Sequence, residues 1–453
     1  MKRSTLLNLV ALFAVATCEI RGPIDYLNYF YKVPSMRLDW DKRDEIKVHI
    51  DHQQLRKSIQ DEIIKVLDFY SDATCLKFDT SRIYNNSEYL AWSENRIPYL
   101  RFIGNFSRCT TASIGKTNDN YVNIAPHCVP SVAHEVGHAL GLIHTQARSD
   151  RDQFVTINLH SSCLTSERCV YQFDNKHSFK TLHYGIPYDY GSAMHYSPVA
   201  FSEERDKLVI AAHKDPLRQF TMGGNPLSIT DLLLINKRYK CEVPDRTCGV
   251  HGGVECQNGG FVNPNDCTRC VCPFGLTGPL CTERDKGSFE YGPCGADLEA
   301  TSTWKTVKGS IWTGEIGPNI DYVFTHCHWL IKAPPNEKII LKFVNVESSN
   351  NDPLSCKRGG TELKTGDFHV GGFKFCKEDQ IVPFHEFVAD SNLALINLFV
   401  HFGTAKFEIK YKLLSSEDFY SVNDSHRILR SLWLKSMWEQ FNPENRFANS
   451  GQK

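Results

Sequence analysis

Apolar and polar residues alternate in the C-terminal third of the chain. The clearest examples are KIILKFVNVE, residues 338–347, and AKFEIKYKLL, residues 405–414. Successive side chains of a strand point to opposite faces of a sheet, so this period predicts strands with one buried face. The apolar run LALINLFVHF, residues 393–402, fits a buried strand. Short strands with turns between them predict an all-β sandwich over residues 294–414.

A helical pattern stands out in the N-terminal half. The segment PSVAHEVGHALGL, residues 130–142, has the apolar content of a buried helix. His134 and His138 are four residues apart, so they share one face of such a helix. Gly141 can adopt the left-handed conformation that ends a helix. The chain can then turn and bring His144 back beside the other two histidines.

This arrangement is suited to binding zinc. Three neutral imidazoles hold the metal and leave one position open for water. Zinc lowers the pKa of that water, and Glu135, beside the shared face, can accept its proton. H-E-x-x-H is a known metalloprotease pattern, as is its extension by a glycine, a third histidine and a Met-turn. The alternative is that these are ordinary histidines of a core helix. Met194 in YDYGSAMHYSP, residues 188–198, favours the metal site.

Charge and the N-terminal residues bear on the cellular location. The formal net charge of −1 argues against nucleic acid as a partner and against a basic membrane-binding surface. Residues 1–18, MKRSTLLNLVALFAVATC, have a basic start and a short apolar run, as in a secretory signal peptide. A membrane anchor is the alternative, but the run is shorter than the roughly 20 residues that span a bilayer. We expect no membrane span elsewhere and a secreted, extracellular protein.

The 17 cysteines agree with secretion, because cytosolic chains rarely keep so many thiols. Cys18 is either removed with the signal peptide or left at the terminus, and the remaining sixteen suit eight disulfides. Six cysteines crowd residues 248–281 too densely for a hydrophobic core, so disulfides must hold this segment. Sequence alone permits fifteen pairings of six cysteines. N-x-S sequons, candidates for N-glycosylation, stand at Asn85, Asn105 and Asn423.

Two motifs resemble the astacin family of zinc metalloendopeptidases, which belongs to the metzincins. Its pattern is H-E-x-x-H-x-x-G-x-x-H-E-x-x-R-x-D-R-D, followed by S-x-M-H-Y. The matching residues are His134, Glu135, His138, Gly141, His144, Arg148, Asp150, Arg151 and Asp152, then Ser192, Met194, His195 and Tyr196.

The resemblance covers about residues 39–241 and implies an α+β catalytic domain. It also implies that Met194 forms a hydrophobic floor under the metal and is not a ligand. Tyr196 would be a displaceable extra ligand that stabilises the oxyanion of the transition state. Without the family, Tyr196 would be interpreted as a core tyrosine and residues 148–152 as a solvated charged turn.

Resemblance to known families also implies disulfide pairs, a substrate-binding strand and two further modules. In astacins the cysteines here numbered Cys75 and Cys241 pair, as do Cys109 and Cys128; Cys163 and Cys169 look like an added local bridge. Residues 118–126, NDNYVNIAP, stand where the family places the edge strand that pairs with extended substrate. The crowded cysteines resemble an EGF-like module, and the β-sandwich resembles a CUB domain. These two resemblances imply the pairs Cys248–Cys267, Cys256–Cys270, Cys272–Cys281, Cys294–Cys327 and Cys356–Cys376.

The chain departs from the family in two places. Astacins have a glutamate after the third histidine, which engages the buried amino terminus released by propeptide removal; here the residue is Thr145. The leader also lacks the family's F-x-G-D motif, for which Asp25 is a poor substitute. A hydroxyl has no charge to pair with a buried ammonium, so we expect an exposed mature terminus and a nearly neutral Thr145→Ala substitution.

The sequence therefore predicts a multidomain protein. Its expected parts are a signal peptide at 1–18, a short propeptide or N-terminal segment at 19–38, an astacin-like peptidase domain at 39–243, an EGF-like module at 244–282, a CUB domain at 294–414 and a tail at 415–453. In the tail, residues 426–441 fit an amphipathic helix or a solvated segment equally well.

Two functions remain open at this point. The favoured one is a secreted endopeptidase with one Zn²⁺ per chain, acting on extracellular proteins or peptides through water that Glu135 activates. The alternative is an extracellular binding protein with weak or no catalysis, whose EGF and CUB modules bind protein partners. The retained Glu135 argues against this alternative, since a purely structural zinc site has no need of a general base.

Overall fold

The structure is a computed structural model of the full chain. It describes the following residues: 39–80, 91–92, 94–104, 109–111, 113–125, 130–158, 172–174, 183–202, 207–224, 227–241, 253–288, 294–313, 324–349, 354–381, 386–416, 418, 431–432 and 435. The signal peptide and the segment expected at 19–38 lie outside these residues, as does nearly all of the segment 426–441. Among the described residues, no helix is both long enough and apolar enough to cross a bilayer.

The first domain begins with a twisted sheet flanked by helices. Its strands are β1 (Glu45–Ile50), β2 (Lys77–Asp79), β3 (Tyr99–Ile103), β4 (Thr110–Thr111) and β5 (Asp119–Asn123), in the order β2-β1-β3-β5-β4. All neighbours are parallel except β4, which runs antiparallel to β5. The helices are α1 (Lys57–Ala73), α2 (Val132–Ala139) and α3 (Ile229–Tyr239).

Helix α1 packs on this sheet because its apolar residues recur at helical spacing. Ile59, Ile63, Leu67 and Tyr70 are all buried and line one face. They join one core with strand residues such as Phe102 and with residues of α2 and α3. The hydroxyl of Tyr70 donates a hydrogen bond of 2.8 Å to the carbonyl of Ala133 in α2. The position of α2 is therefore fixed by the core beneath it.

The sheet edge differs from the sequence expectation. Residues 118–126 were expected to supply the edge strand, but their strand, β5, has β3 on one side and β4 on the other. Val122 pairs with Phe102 and with Thr111, so the expectation is wrong. In the described part of the sheet, the edge strand next to β5 is β4, a two-residue strand, and β2 forms the opposite edge. Two residues are too few to show an alternation of apolar and polar positions, so the sequence pattern does not reveal this strand.

The part of the first domain between α2 and α3 contains little regular structure. Strands β6 (Val155–Ile157) and β7 (Ile210–Ala212) pair, and 3-10 turns occur at Thr145–Ala147, Arg151–Gln153 and Pro216–Thr221. Helix α3 begins with a capping box, in which Ser228 and Asp231 satisfy each other's backbone N–H groups. It ends at Lys240 in the left-handed conformation, next to the disulfide Cys75–Cys241.

A small disulfide-rich module follows. Its strands are β8 (Phe261–Asn263), β9 (Asp266–Val271), β10 (Leu276–Thr277) and β11 (Glu283–Arg284). The module contacts the C-terminal end of α1: the side-chain amide nitrogen of Asn265 lies within hydrogen-bond distance, 2.8–3.0 Å, of the carbonyl oxygens of Ser71, Asp72 and Thr74. These bonds satisfy carbonyls that a helix end leaves without intrahelical partners.

The third domain is a β-sandwich, as its alternating pattern predicts. One sheet has the order β12-β14-β19-β16-β17 and the other β13-β20-β15-β18. The strands are β12 (Gly295–Glu299), β13 (Lys305–Trp312), β14 (Thr325–Lys332), β15 (Ile339–Ser348), β16 (Gly359–Lys364), β17 (Phe373–Phe375), β18 (Glu386–Val388), β19 (Leu393–Val400) and β20 (Thr404–Leu413), with a 3-10 turn at Glu378–Gln380. The central β19 is almost wholly buried, which agrees with its unbroken apolar run.

The described cysteines pair as the resemblances imply. The structure contains the disulfides Cys75–Cys241, Cys256–Cys270, Cys272–Cys281, Cys294–Cys327 and Cys356–Cys376. Cys109 and Cys267 are also disulfide-bonded, and the cysteines expected to pair with them, Cys128 and Cys248, lie outside the described residues. The same holds for Cys163, Cys169 and the sequon residues Asn85, Asn105 and Asn423.

Candidate metal centre and catalytic site

The site is built on α2 and on the turn that follows it. His134 and His138 lie one helical turn apart on the same face of this eight-residue helix. Gly141 follows with φ of +99°, a conformation that non-glycine residues rarely adopt. A side chain there would also meet the guanidinium of Arg238 at 2.7 Å. The turn at Gly141 redirects the chain so that His144 returns to the face of α2.

The three imidazoles converge. Their ring centroids are 4.6 Å apart for His134 and His138, 5.3 Å for His134 and His144, and 4.5 Å for His138 and His144. One ring nitrogen from each lies within 4.8 Å of the others, and the described residues contain no second such group of three. The Nε2 atoms of His138 and His144 are 3.0 Å apart. Two nitrogens bound tetrahedrally to zinc at about 2.05 Å would be about 3.3 Å apart, close to this spacing.

The outer nitrogens are held by backbone carbonyls. Nδ1 of His134 lies 2.7 Å from the carbonyl of Ala193, and Nδ1 of His138 lies 2.8 Å from the carbonyl of Leu142. A carbonyl only accepts hydrogen bonds, so each Nδ1 carries the proton and each Nε2 presents a lone pair. Metal-binding histidines are usually oriented by a partner at their second nitrogen in this way. The residues present therefore fit a metal ion.

Burial keeps these imidazoles neutral. It lowers the pKa of His134 and of His138 to about 4 and lowers the pKa of His144 well below its ordinary value. Only neutral imidazole has a lone pair to give a metal, so at neutral pH the cluster is ready to bind one. Charged imidazoles this close together would repel one another, which lowers the pKa of His138 and of His144 further.

Glu135 lies beside this cluster and is buried. Burial raises the pKa of its carboxyl group, while His138 and a hydrogen bond from Thr111 lower it. The Thr111 hydroxyl lies 2.7 Å from Oε2 of Glu135 and 2.8 Å from the Glu135 carbonyl. Thr111 belongs to the edge strand β4, so one side chain ties the carboxylate to that edge. No sequence motif signals Thr111, because the contact joins residues 24 positions apart.

Met194 lies beneath α2 in the main core and is 1 % exposed. A Cβ atom on Gly137 would come within 2.9 Å of its sulfur, so the helix and the methionine approach closely only because residue 137 is glycine. The neighbouring Ala193 carbonyl is the one that accepts from His134. This loop thus both supports the helix and orients one of its histidines.

Tyr196 lies beside the third histidine, with its ring centroid 4.1 Å from that of His144 and the two rings tilted by 47°. Its hydroxyl donates a hydrogen bond of 2.9 Å to Oε1 of Gln172. Its backbone N–H donates to the side chain of Gln146 at 3.0 Å. Tyr196 is therefore at the site, with its phenol held by a residue that sequence reasoning did not identify. Gln172 lies outside both motifs, and nothing in the sequence marks it.

The charged residues after His144 are structural. Arg148 is buried, pairs with both carboxylate oxygens of Asp150 and donates to the carbonyls of Ile186 and Pro187. Arg151 is also buried and donates to the carbonyls of Gln146 and Phe173. The interpretation of these residues as a solvated turn is wrong, because their guanidinium groups satisfy carbonyls of the irregular loops around the site.

Thr145 takes part in a buried polar chain. Its N–H donates to the Met194 carbonyl at 3.0 Å, and its hydroxyl donates to Ser192 at 2.8 Å. Ser192 donates in turn to Asp231 at 2.6 Å, and burial raises the pKa of Asp231 to about 6. The expectation that Thr145→Ala is nearly neutral for activity stays a prediction, whereas these contacts indicate a cost in stability, since the hydroxyl is inside the protein and hydrogen-bonded.

Comparison with known proteins agrees with this site. A family model described as Astacin, a peptidase family, matches residues 33–240. The zinc metalloproteinase nas-31 of Caenorhabditis elegans is 33% identical over 286 residues, which cover 63% of this chain and 44% of that protein. The zinc metalloproteinase nas-34 of the same species is 32% identical over 350 residues, covering 76% of this chain and 51% of that protein.

Among solved structures, the similar proteins include high choriolytic enzyme 1, a hatching enzyme zinc-protease of the medaka fish Oryzias latipes. It is 26% identical, with a TM-score of 0.37, and the match covers 47% of this chain and 95% of that one. The likeness to astacins rests on the family model and the sequence relatives and not on this structural match. The chain spans about half the length of the curated relatives it matches.

The geometry predicts how the metal responds to mutation. Purified wild-type chain should hold one zinc ion, and His138→Ala should lose it, because two remaining histidines seldom retain zinc in a catalytic site. Metal analysis after gel filtration measures this. His52→Ala, at an exposed position of the same domain, is the control and should keep the metal. Full zinc content in His138→Ala would contradict the assignment.

The Thr145 contacts predict a stability effect. Thr145→Ala removes one buried hydrogen bond and should lower the free energy of unfolding by about 1 kcal/mol. Thr145→Ser keeps the hydroxyl and should lose less. Urea denaturation of zinc-loaded protein compares the two variants. Equal unfolding midpoints for wild type and Thr145→Ala would show that the bond contributes nothing.

Proposed function

We propose that this chain, which belongs to the astacin family over residues 33–240, is a secreted zinc-dependent endopeptidase. The observation that carries the proposal is the convergence of His134, His138 and His144 beside the buried carboxylate of Glu135. Three histidines alone would be compatible with a structural zinc site as well as with a catalytic one. A carboxylate held beside them, where it can take a proton from water, is what peptide hydrolysis requires.

His134, His138 and His144 would hold the zinc ion through their Nε2 atoms. When bound there, zinc supplies Lewis acidity, which polarises a peptide carbonyl and lowers the pKa of water. Glu135 takes the proton of the attacking water and then gives it to the leaving amine. The raised pKa of its carboxyl group suits both steps, because the group must accept and release a proton near neutral pH.

Two further elements would bind the substrate and the transition state. The edge strand β4 has backbone groups on its outer side that an extended peptide can pair with. Tyr196 would donate its phenolic proton to the oxyanion of the transition state. It now donates to Gln172, so it must exchange this partner for the substrate during turnover. Gln172 is thus a resting partner that holds the phenol near the site.

The disulfides support an extracellular location. Bonds of this kind form and persist outside the cytosol, and they occur in every part of the chain that has a folded core or module. We propose that the substrates are extracellular proteins or peptides. The EGF-like module and the β-sandwich would supply surfaces for binding other proteins.

The catalytic role of Glu135 has a direct test. Glu135→Gln should keep the fold and the zinc ion, because the amide is nearly isosteric and Glu135 is not a ligand. Its turnover of a peptide library should fall by about 10²–10⁴-fold, the usual cost of losing a general base. Wild-type protein treated with a zinc chelator is the parallel control. Zinc-loaded wild type that cleaves no peptide would favour the binding-protein alternative.

Thr111 predicts a change in pH dependence. Its hydrogen bond stabilises the charged carboxylate and lowers the pKa of Glu135. Thr111→Val removes the bond, so the pKa rises and the carboxylate becomes protonated at higher pH. The acidic limb of kcat/KM should then shift to higher pH, whereas Thr111→Ser should keep the wild-type profile. A coincident acidic limb in Thr111→Val would contradict this role.

A further inference from the structure

The β-sandwich packs directly against the loop that carries Met194. We call residues 189–194 the Met-turn loop and residues 371–374 of the sandwich the docking segment. The N–H of Gly371 donates to Oδ1 of Asp189 at 2.9 Å. The same oxygen accepts from the N–H of Gly191 at 2.8 Å, and Oδ2 accepts from the hydroxyl of Thr230 at 2.8 Å. One buried carboxylate therefore joins the Met-turn loop, helix α3 and the sandwich.

A second set of contacts surrounds this carboxylate. The hydroxyl of Thr221 donates to the carbonyl of Gly372 at 2.9 Å, and the N–H of Lys374 donates to the same hydroxyl at 3.3 Å. Arg218 donates to the carbonyl of Gly371 and lies over the ring of Phe373 at 4.3 Å. The 3-10 turn Pro216–Thr221 also packs apolar side chains on the sandwich core. The interface thus has the hydrogen bonds and the apolar contacts of a fixed junction.

The two backbones meet without room for side chains. A Cβ atom on Gly371 would lie 2.7 Å from the Cα of Gly191, and a Cβ atom on Gly191 would lie 2.7 Å from the Cα of Gly371. Behind them, a Cβ atom on Gly224 would clash with the carbonyl oxygen of Ser192. Contacts this short are with backbone atoms, which cannot move aside as a flexible side chain can.

The docking segment is itself held in place within the sandwich. The N–H of Gly372 donates to Oε1 of the buried Glu362 at 2.6 Å, and Oε2 of Glu362 accepts from Asn397 of β19 at 2.8 Å. Lys364 donates to the carbonyl of Val370 at 3.1 Å. Glu362 and Lys364 both lie on β16, so the position of Gly371 is set by the central strands of the sandwich.

Only a few residues separate the contact between Gly371 and Gly191 from the metal site. Gly191, which contacts Gly371, is two residues from Ala193, whose carbonyl orients His134. A second segment of the sandwich flanks the same region, where a Cβ atom on Gly223 would lie 3.0 Å from Oγ of Ser355 and 3.0 Å from Cβ of Ser197. The charge of the adjacent Lys357 lowers the pKa of both His134 and Glu135. The sandwich therefore contacts the loop next to the site, and one of its charges acts on two residues of the site.

We propose that the β-sandwich contributes to catalysis by holding the Met-turn loop in position. Through Gly371 it fixes Asp189, and Asp189 is a positioning residue that holds this loop under the metal site. This inference rests on the proposed peptidase function for its kinetic consequences. Its structural consequence, an ordered Met-turn loop, does not depend on catalysis.

The test uses the full chain with Gly371→Ala, a substitution in the sandwich that leaves the first domain unchanged. The added methyl group pushes the docking segment away from Gly191. The matched control is Gly366→Ala in the same domain, where the methyl group would meet only the end of the Asp390 side chain. Three quantities are measured for each protein: kinetics on a short peptide, zinc release to a chelator, and hydrogen exchange over residues 188–196.

Gly371→Ala should lower kcat by about tenfold or more, because misplacement by about 1 Å at a catalytic site can cost about 10²-fold. KM for the short peptide should stay within about twofold, since the substrate-binding edge is not touched. Zinc should be released faster, and exchange over 188–196 should increase. Gly366→Ala should match wild type in all three. Wild-type values for Gly371→Ala in all three would overturn the proposal.

A second pair of variants covers the case in which Gly371→Ala does not fold. Asp189→Asn keeps the Oδ1 acceptor for both N–H groups and should retain most of the activity and zinc affinity that Asp189→Ala loses. Equal behaviour of these two variants would also overturn the proposal. If zinc-loaded wild type cleaves no peptide, the proposed function fails, while zinc release and hydrogen exchange still decide whether the sandwich fixes the loop.

Discussion

The hydrogen bond from His134 to the Ala193 carbonyl is the interaction on which the site depends. It connects the helix that carries two of the histidines to the loop that lies beneath it. A neutral imidazole presents a lone pair at one nitrogen when its other nitrogen is protonated, and this carbonyl accepts the hydrogen bond of that N–H and orients the ring of His134. Leu142 does the same for His138. The fold therefore has to place two carbonyls, from separate segments, at the correct points around one short helix.

The irregular segments around the site are held by buried polar groups. Arg148 and Arg151 satisfy carbonyls of the neighbouring loops, and Asp231 accepts from Ser192 and from the N–H of Ala193. Each of these groups would be costly to bury without its partners, so the loops have few other arrangements open to them. Burial also keeps the histidines neutral, which prepares the cluster for a metal ion. The same dry surroundings raise the pKa of Glu135 and so suit it to exchange protons.

The sequence predicted the parts of this structure that follow from local spacing. His134, His138, Gly141 and His144 could be assigned because a helix and a glycine turn place them together. The alternating segments and the apolar run of β19 likewise predicted the sandwich. The features that it did not predict are contacts between residues far apart in the chain. Thr111 reaches Glu135, Gln172 holds Tyr196, and Gly371 contacts Asp189 across 182 positions. The edge strand was misplaced because β4 is too short to show a period.

In the proposed mechanism, the three histidines form a zinc centre of the catalytic type. X-ray absorption at the zinc edge of the purified full chain tests it most directly, because the spectrum reports the atoms bound to the metal. We expect nitrogen ligands at about 2.0–2.1 Å with imidazole scattering from three histidines, together with one or two oxygen ligands. A spectrum dominated by sulfur at about 2.3 Å would place the zinc on cysteines and show that the histidines do not hold it.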